Sequence, residues 1–385
     1  MKLMMLMPDL ALIGAQKMGL NLLENLDNDI VSDTELVILS DKLNNLDNIQ
    51  SIPNFQVIKR FFTGYLSKFD TIFSIYRLRK IIKKSNPDVI ISIAPIMNIY
   101  LLLSLSFFGS KKPKIIIEEH QHLTQSLSGD NSSHHWTMKF FYKFCLSIYN
   151  TADIVKVVSE DSKNDFITNW NIPKDKLVVV NPPINIENIT KLSLEDIPQS
   201  VKSFIKKEDN IIFSLGRLES QKNFHLLIEA FYQSYLKDSS LKLIIIGSGS
   251  QMESLNNKIV TLGIKDRVLL AGFIENPYPV FKIAKLFCLT SIWEGMPVTI
   301  MESMLLGCPV ISVDCKSGPS EMIINNKNGL LVKNNSESIS YAINYLIDDT
   351  ILLNEISSNG IEYAKKWDIL SYTQQVTQHI KDLLK

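Results

Sequence analysis

The chain has 385 residues, 45% of them apolar and 21% charged, with 40 basic side chains balanced by 40 acidic ones. That length favours two domains, each with a full core, and the zero formal net charge excludes a global field that would recruit nucleic acid. Four cysteines, none in a CxxC pair, exclude a disulfide scaffold and fit a reducing compartment.

The N-terminal apolar run is Leu3–Met7, interrupted by Pro8 and Asp9. It is shorter than the roughly 7 to 15 residues of a secretory h-region, so it reads as a first buried strand. LVILS, VIISIA, KIIIEE, IVKVVS and LVVVN are the further strand candidates of the first half. Between Lys59 and Lys84 stand eight Lys/Arg against one acid, Asp70. This run is either a solvated helix face or a patch that meets anionic lipid headgroups. The stretch from Val89 to Phe108 has about the length needed to span a bilayer, but Pro95 and Asn98 break it and no basic flank marks its start. It reads instead as the strand VIISIA followed by an apolar helix over 96–108.

The second half is more regular. Strand-length apolar runs recur at Ile211–Leu215, Leu241–Ile246, Val268–Ala271, Leu286–Thr290, Val310–Val313 and Leu330–Val332. Helix-like segments such as Asn223–Tyr235 and Gln251–Leu262 lie between them. Alternating strands and helices predict parallel sheets covered by helices on both faces. The Pro182-Pro183 pair stops LVVVN, and a polar, low-order segment, Asn185–Gln199, follows. The predicted organisation is therefore residues 1–184, residues 185–366 and a final helical segment 367–385. Two doubly wound domains of this kind would bind ligands beyond the carboxyl ends of their strands, in a cleft between them.

Several motifs fall just after strands. In IIFSLGRLESQKNF, Arg217 and Lys222 precede a helix starting near Asn223. Two cations beside the free N–H groups of a helix start suit an anion such as a diphosphate; the alternative is a pair of surface cations. Gly247-Ser-Gly249 begins a dinucleotide-like pattern, but its third glycine position is Met252, so a tight strand-to-helix turn is the better reading. In LIGAQKMGLNLL, Gly14 marks either a plain turn or a ligand-facing backbone. His120 follows the strand KIIIE, at the edge of the expected cleft. His122, His134 and His135 read as solvated loop residues. No HExxH or Cys/His framework indicates a metal.

The stretch SIWEGMPVTIMESMLLGCPVI carries Glu294 and Glu302, eight residues apart. Pro297 suits a first helical turn, Gly295 allows close approach of a ligand to the backbone, and the helix start favours negative charge. Eight helical residues rise about 12 Å, against about 5–5.5 Å between the two carboxylates of a retaining glycosidase. The glutamates are therefore expected to grip two parts of one extended ligand rather than act as a nucleophile–acid pair.

In this order and after these strands, GRLESQKN, SIWEGMPVTIMESMLLGCPVIS, SGPSEMI and NGLLV resemble the retaining glycosyltransferases of family 4. The resemblance covers essentially the whole chain. It implies an α/β GT-B fold, two doubly wound Rossmann-like domains facing across a cleft. It also implies a nucleotide-sugar donor. By this resemblance, Arg217 and Lys222 would bind the diphosphate and act in catalysis with Glu294 and His120. Glu294 would contact the donor sugar, and the backbone of Gly295, Met296, Pro297 and Val298 would hold sugar and phosphate. Glu302 would hold the ribose, and Phe273 and Ile274 the base. The last helix, Ile369–Leu384, would cross back to the first domain. Relatives often carry G-G-x-E at the first loop, where this chain has Ile13-Gly14-Ala15-Gln16, which weakens the expected contact at Gly14.

The implied reaction moves a sugar, with UDP the expected nucleotide, to a hydroxyl of a glycan or lipid-linked glycan with retention of configuration and without a metal or other cofactor. The expected setting is surface polysaccharide assembly, in the cytoplasm and peripherally on the inner membrane face. The competing readings are a non-catalytic partner of the same fold and an NAD-dependent oxidoreductase.

Overall fold

A computed structural model describes residues 1–8, 15–26, 31–39, 55–58, 67–106, 112–128 and 147–385. The chain divides into two compact units: Met1–Pro182 with Ile369–Lys385, and Pro183–Asp368.

The first unit is built on a parallel seven-stranded sheet in the order β3-β2-β1-β4-β5-β6-β7. Its strands are β1 (Lys2–Met7), β2 (Asp33–Leu39), β3 (Phe55–Ile58), β4 (Val89–Ile93), β5 (Lys114–Glu119), β6 (Ile154–Val157) and β7 (Leu177–Val179). Helices α1 (Ala15–Asn25), α2 (Ser67–Ser85), α3 (Pro95–Leu105), α4 (Leu123–Ser128) and α5 (Glu160–Trp170) connect them. Successive strand side chains face opposite ways, which explains why β1 is apolar at every position after Lys2. Met4 and Leu6 join one core with Leu78 of α2 and Leu101 of α3, whereas Leu3, Met5 and Met7 join the other. The C-terminal helix Ile369–Leu384 covers that second face through Tyr372, Val376 and Ile380. At Gly19 of α1, an added Cβ would lie 2.5 Å from Ile93 Cδ1, so helix and sheet approach too closely there for a larger residue.

The run read as a membrane suspect is strand β4 and helix α3. Met97, Ile99, Tyr100, Leu101, Leu102 and Leu105 of α3 are all buried in the core. The apolar side chains of this helix are therefore covered by protein. Among the described residues, no helix is long and apolar enough to cross a membrane. Strand β3 was not among the expected elements; FQVI pairs with β2 from Leu36↔Phe55 to Leu39↔Ile58.

The second unit holds a parallel six-stranded sheet in the order β10-β9-β8-β11-β12-β13. The strands β8 (Asn210–Leu215), β9 (Leu241–Ile246), β10 (Val268–Leu270), β11 (Leu286–Leu289), β12 (Val310–Val313) and β13 (Leu330–Val332) fall where the apolar runs predict them. Its main helices are α6 (Phe224–Tyr235), α7 (Met252–Thr261), α8 (Tyr278–Ile283), α9 (Val298–Leu305), α10 (Ser336–Asp348) and α11 (Thr350–Ala364). The segment read as low-order contains a helix, Ile186–Leu192, started by the Asn185 side chain accepting from Asn188 N, a polar cap of the kind that stabilises short helices. Ile184 N donates to Trp367 O at 2.8 Å, joining the two ends of this unit.

Candidate functional site

The loops beyond the carboxyl ends of β8, β9, β10 and β11 build the site of the second unit. Three of them are stitched by backbone bonds: Gly216 N to Ile246 O, Leu218 N to Ser248 O, and Gly247 N to Gly272 O. Gly247 has φ +149, and a Cβ there would meet Gly216 O at 1.8 Å. The GxG turn therefore serves close loop packing, in line with its reading as a turn. Glu219 accepts from Ser250 N at 3.0 Å and Ser250 Oγ at 2.7 Å, which holds its carboxyl below the usual range. Arg217 stays exposed, its guanidinium donating to Gln221 Oε1 at 3.1 Å.

Lys222 ends a short turn, and Asn223 in the left-handed region (φ 50) opens α6. Thr290 Oγ1, at the end of β11, donates to Lys222 O at 3.0 Å. This fixes the lysine beside the loop that carries Glu294. Lys222 Nζ lies 2.6 Å from Glu294 Oε1, and Ser291 Oγ donates to the same oxygen at 2.5 Å. Glu294 is 6% exposed, so its charge is held by the lysine and the hydroxyl rather than by water.

The loop after Glu294 is clamped from the far side. Glu294 N donates to Lys316 O at 2.6 Å, Ser317 N to Glu294 O at 3.3 Å, and Ser317 Oγ to Gly295 O at 2.8 Å. Gly318, at φ +98, comes so close that a Cβ would sit 2.7 Å from Pro297 Cδ. Pro297 is the N-cap of α9, one position earlier than expected, and no side chain caps this helix start. Gly295, Met296 and Pro297 are buried, and Val298 is half-buried. Glu302 lies within α9 and accepts from Tyr278 Oη at 2.9 Å. Burial first, then the Glu302 charge and its hydrogen bond, push the Tyr278 phenol far up, so it remains a donor. Phe273 is 71% exposed and Ile274 half-buried in the loop after β10.

The two glutamates thus have different partners: Glu294 is held by Lys222 and Ser291, Glu302 by Tyr278. Ser291, Tyr278 and Ser317 were not anticipated. Ser291 and Ser317 bond through loop geometry, and Tyr278 reaches Glu302 across 24 positions of sequence. Cys308 is pushed up to about 12 by burial, and Cys315 to about 12 by burial and then the Glu294 charge. Both remain neutral thiols.

In the first unit, His120 Nε2 faces Glu118 Oε2 at 3.2 Å, and the other oxygen of Glu118 receives Lys156 Nζ at 2.7 Å. Lys156 also bonds to Tyr372 Oη of the C-terminal helix. Burial works against the Glu118 charge, but Lys156 and His120 outweigh it and hold the group at about 2. His122 is 5% exposed, within 3.4 Å of Asp165 of α5. This corrects its reading as a solvated loop residue: the turn after β5 folds inward and the α5 carboxylate satisfies the ring. Gly14, His134, His135 and Cys145 lie outside the described residues. Among the described residues, no group of three or more His, Cys, Asp or Glu could hold a metal ion.

Residues 31–188 match the family described as Glycosyltransferase Family 4, and residues 196–367 match Glycosyl transferases group 1. An uncharacterised glycosyltransferase of Methanocaldococcus jannaschii is 30% identical over 334 residues, covering 76% of this chain and 79% of that protein. The chain belongs to glycosyltransferase family 4. This glycosyltransferase is also 29% identical over 283 residues to a Campylobacter jejuni enzyme, N-acetylgalactosamine-N,N'-diacetylbacillosaminyl-diphospho-undecaprenol 4-alpha-N-acetylgalactosaminyltransferase, with 73% of each chain covered. In structure it is similar to Anabaena HepE in complex with UDP, with TM-score 0.80 and 18% identity over 99% of this chain and 100% of that one. The fold of the glycosyltransferase is GT-B, built from two Rossmann-like units.

Proposed function

We propose that this glycosyltransferase moves a sugar from a UDP-sugar to a hydroxyl of a lipid-linked or polysaccharide glycan, with retention of configuration. The observation that carries the reading is the Lys222–Glu294 pair beside the uncapped start of α9. A helix N-terminus and nearby cations favour a diphosphate, and a fixed carboxylate is an acceptor for sugar hydroxyls. Glu302, oriented by Tyr278, holds the ribose hydroxyls one helical segment further on, and Phe273 with Ile274 packs the base. The donor preference is supported by HepE, described with UDP. The acceptor class is supported by the C. jejuni relative, named for a diphospho-undecaprenol acceptor.

In the proposed reaction the bond from the anomeric carbon to the diphosphate oxygen breaks, and the acceptor oxygen bonds to the same face. The departing phosphate takes the acceptor proton. Arg217, Lys222 and the α9 N-terminus stabilise the leaving diphosphate in place of a metal ion.

Helix α2 fits a peripheral membrane contact. Ile72, Phe73 and Tyr76 are 66%, 54% and 55% exposed, and Arg77, Lys80 and Lys84 are exposed on the same helix. Apolar tips among cations suit an anionic lipid surface. Sedimentation with phosphatidylglycerol vesicles tests this: binding at low salt that weakens as salt rises is expected, and no binding at low salt rejects it.

The donor reading is tested by thermal unfolding with a panel of nucleotide sugars. Ligands that bind only the native state raise the midpoint. UDP-sugars are expected to stabilise the protein more than NADH or GDP-sugars do. Stabilisation by NADH alone would favour an oxidoreductase.

A further inference from the structure

The second unit carries another groove, of about 640 Å³, at the far end of α6 from Lys222. Helix α6 has 12 residues, which at 1.5 Å each separates its two ends by about 18 Å. The groove is lined by Lys237 just past α6, by the outer face of α10, and by Ile351 at the start of α11. Tyr341, Asn344, Tyr345 and Asp348 recur along α10 at the spacing of one helix face. The rings of Tyr341 and Tyr345 lie nearly parallel, with centroids 6.1 Å apart and an interplanar angle of 12°. The pair is stacked, and Tyr341 is 70% and Tyr345 41% exposed. Beside it the buried Nδ2 of Asn344 has no hydrogen-bond partner among the described residues, a costly arrangement for an amide donor. Asp349 adds a carboxylate whose Oδ1 accepts from Leu352 N.

We propose that this groove is a secondary binding site for a saccharide chain. The apolar faces of sugar rings pack on parallel tyrosine rings, and sugar hydroxyls both donate and accept. Asp348 and Asp349 supply acceptors, and Lys237 supplies a donor. A protein partner fits less well, since charged groups are depleted at the centre of protein interfaces and here they stand among the rings. The volume falls in the range of small-molecule sites, about 300–1,000 Å³. The inference rests on the chain's being a glycosyltransferase, whose acceptor and product are saccharides, and not on the assignment of its donor site. Held there, a glycan stays on the enzyme between transfers.

Saturation-transfer NMR tests the site with two neutral probes, maltohexaose and chitohexaose. At least one hexasaccharide should show transfer with the wild type. Transfer should persist in E302A, fall at least fivefold in Y341A/Y345A and be largely restored in Y341F/Y345F. Both tyrosines are solvent-facing, so the alanine variant is expected to fold, which circular dichroism checks. No transfer from either probe to the wild type would overturn the proposal. So would transfer unaffected by Y341A/Y345A, or a change of oligomeric state in that variant without loss of transfer. UDP binding measured in parallel reports on the donor site separately.

Discussion

Lys222 Nζ and Glu294 Oε1, contributed by loops 72 positions apart, stand 2.6 Å from one another with side-chain exposures of only 16% and 9%. Each is the other's main charge partner. Removing the lysine leaves a largely buried carboxylate unpaired, which costs about 3 kcal/mol or more. Lys222→Ala should therefore lower the thermal midpoint and also reduce turnover, by about 10²-fold if the cation stabilises the leaving group. Thermal unfolding and steady-state kinetics measure the two effects. A variant with unchanged turnover would remove Lys222 from the leaving-group site.

In the proposed donor site, Tyr278 and Glu302 divide the work of the ribose end. Tyr278→Phe removes one charge-assisted hydrogen bond to Glu302, worth about 1.5–3 kcal/mol at most, but leaves the carboxylate in place. Calorimetric titration should show UDP binding weakened several-fold in this variant and more severely in Glu302→Ala. Glu294→Ala should mainly lower turnover. Equal loss of UDP binding in Glu294→Ala and Glu302→Ala would contradict this division.

Gly318 combines φ +98 with a Cβ position 2.7 Å from Pro297 Cδ. Gly318→Ala is strained by its backbone and must also push on the loop that starts α9. The expected destabilisation exceeds about 1 kcal/mol, with a larger proportional loss of donor binding than of stability. Denaturant unfolding and UDP titration check both.

Glu119 provides a pH signature in the first unit. Its Oε1 accepts from Tyr149 Oη at 2.6 Å and Asn98 Nδ2 at 2.8 Å, while its buried Oε2 has no partner among the described residues. Burial outweighs those two bonds and raises the group from 4.5 to about 7. The folded state therefore binds this proton more tightly than the unfolded state does. Stability is full below about pH 4.5 and falls as pH rises to about 7, by about 3 kcal/mol for this group. Glu118 acts oppositely in a separate window: held at about 2, it contributes stability above about 4.5 that is lost as pH falls toward 2. Glu119→Gln should flatten the decline between pH 4.5 and 7, measured by unfolding at several pH values. An unchanged decline would reject the assignment.

The second unit was legible because its strands are short apolar runs bounded by turns, the four central ones buried on both faces. Its loops carry the motif residues directly after those strands. The first unit was less so. FQVI is only four residues long, and Asn185 starts a helix through a side-chain cap inside a polar stretch. The Glu118-Glu119 pair looks like a solvated strand end. Its burial follows from sheet register, which sets Glu118 opposite Lys156 of β6, and register is not written in local sequence. Tyr278 and Ser317 belong to the same class: each acts on a motif residue that only the folded chain brings near.

The central claim is retaining transfer from a UDP-sugar held between Glu294 and Glu302. Proton NMR of the purified protein with α-linked UDP-sugars and no acceptor tests it most directly, with water standing in for the acceptor hydroxyl. The account predicts slow UDP release with the α-anomer of the free sugar formed first, and its loss in Glu294→Ala. Formation of the β-anomer first, or no consumption of any UDP-sugar, would contradict it.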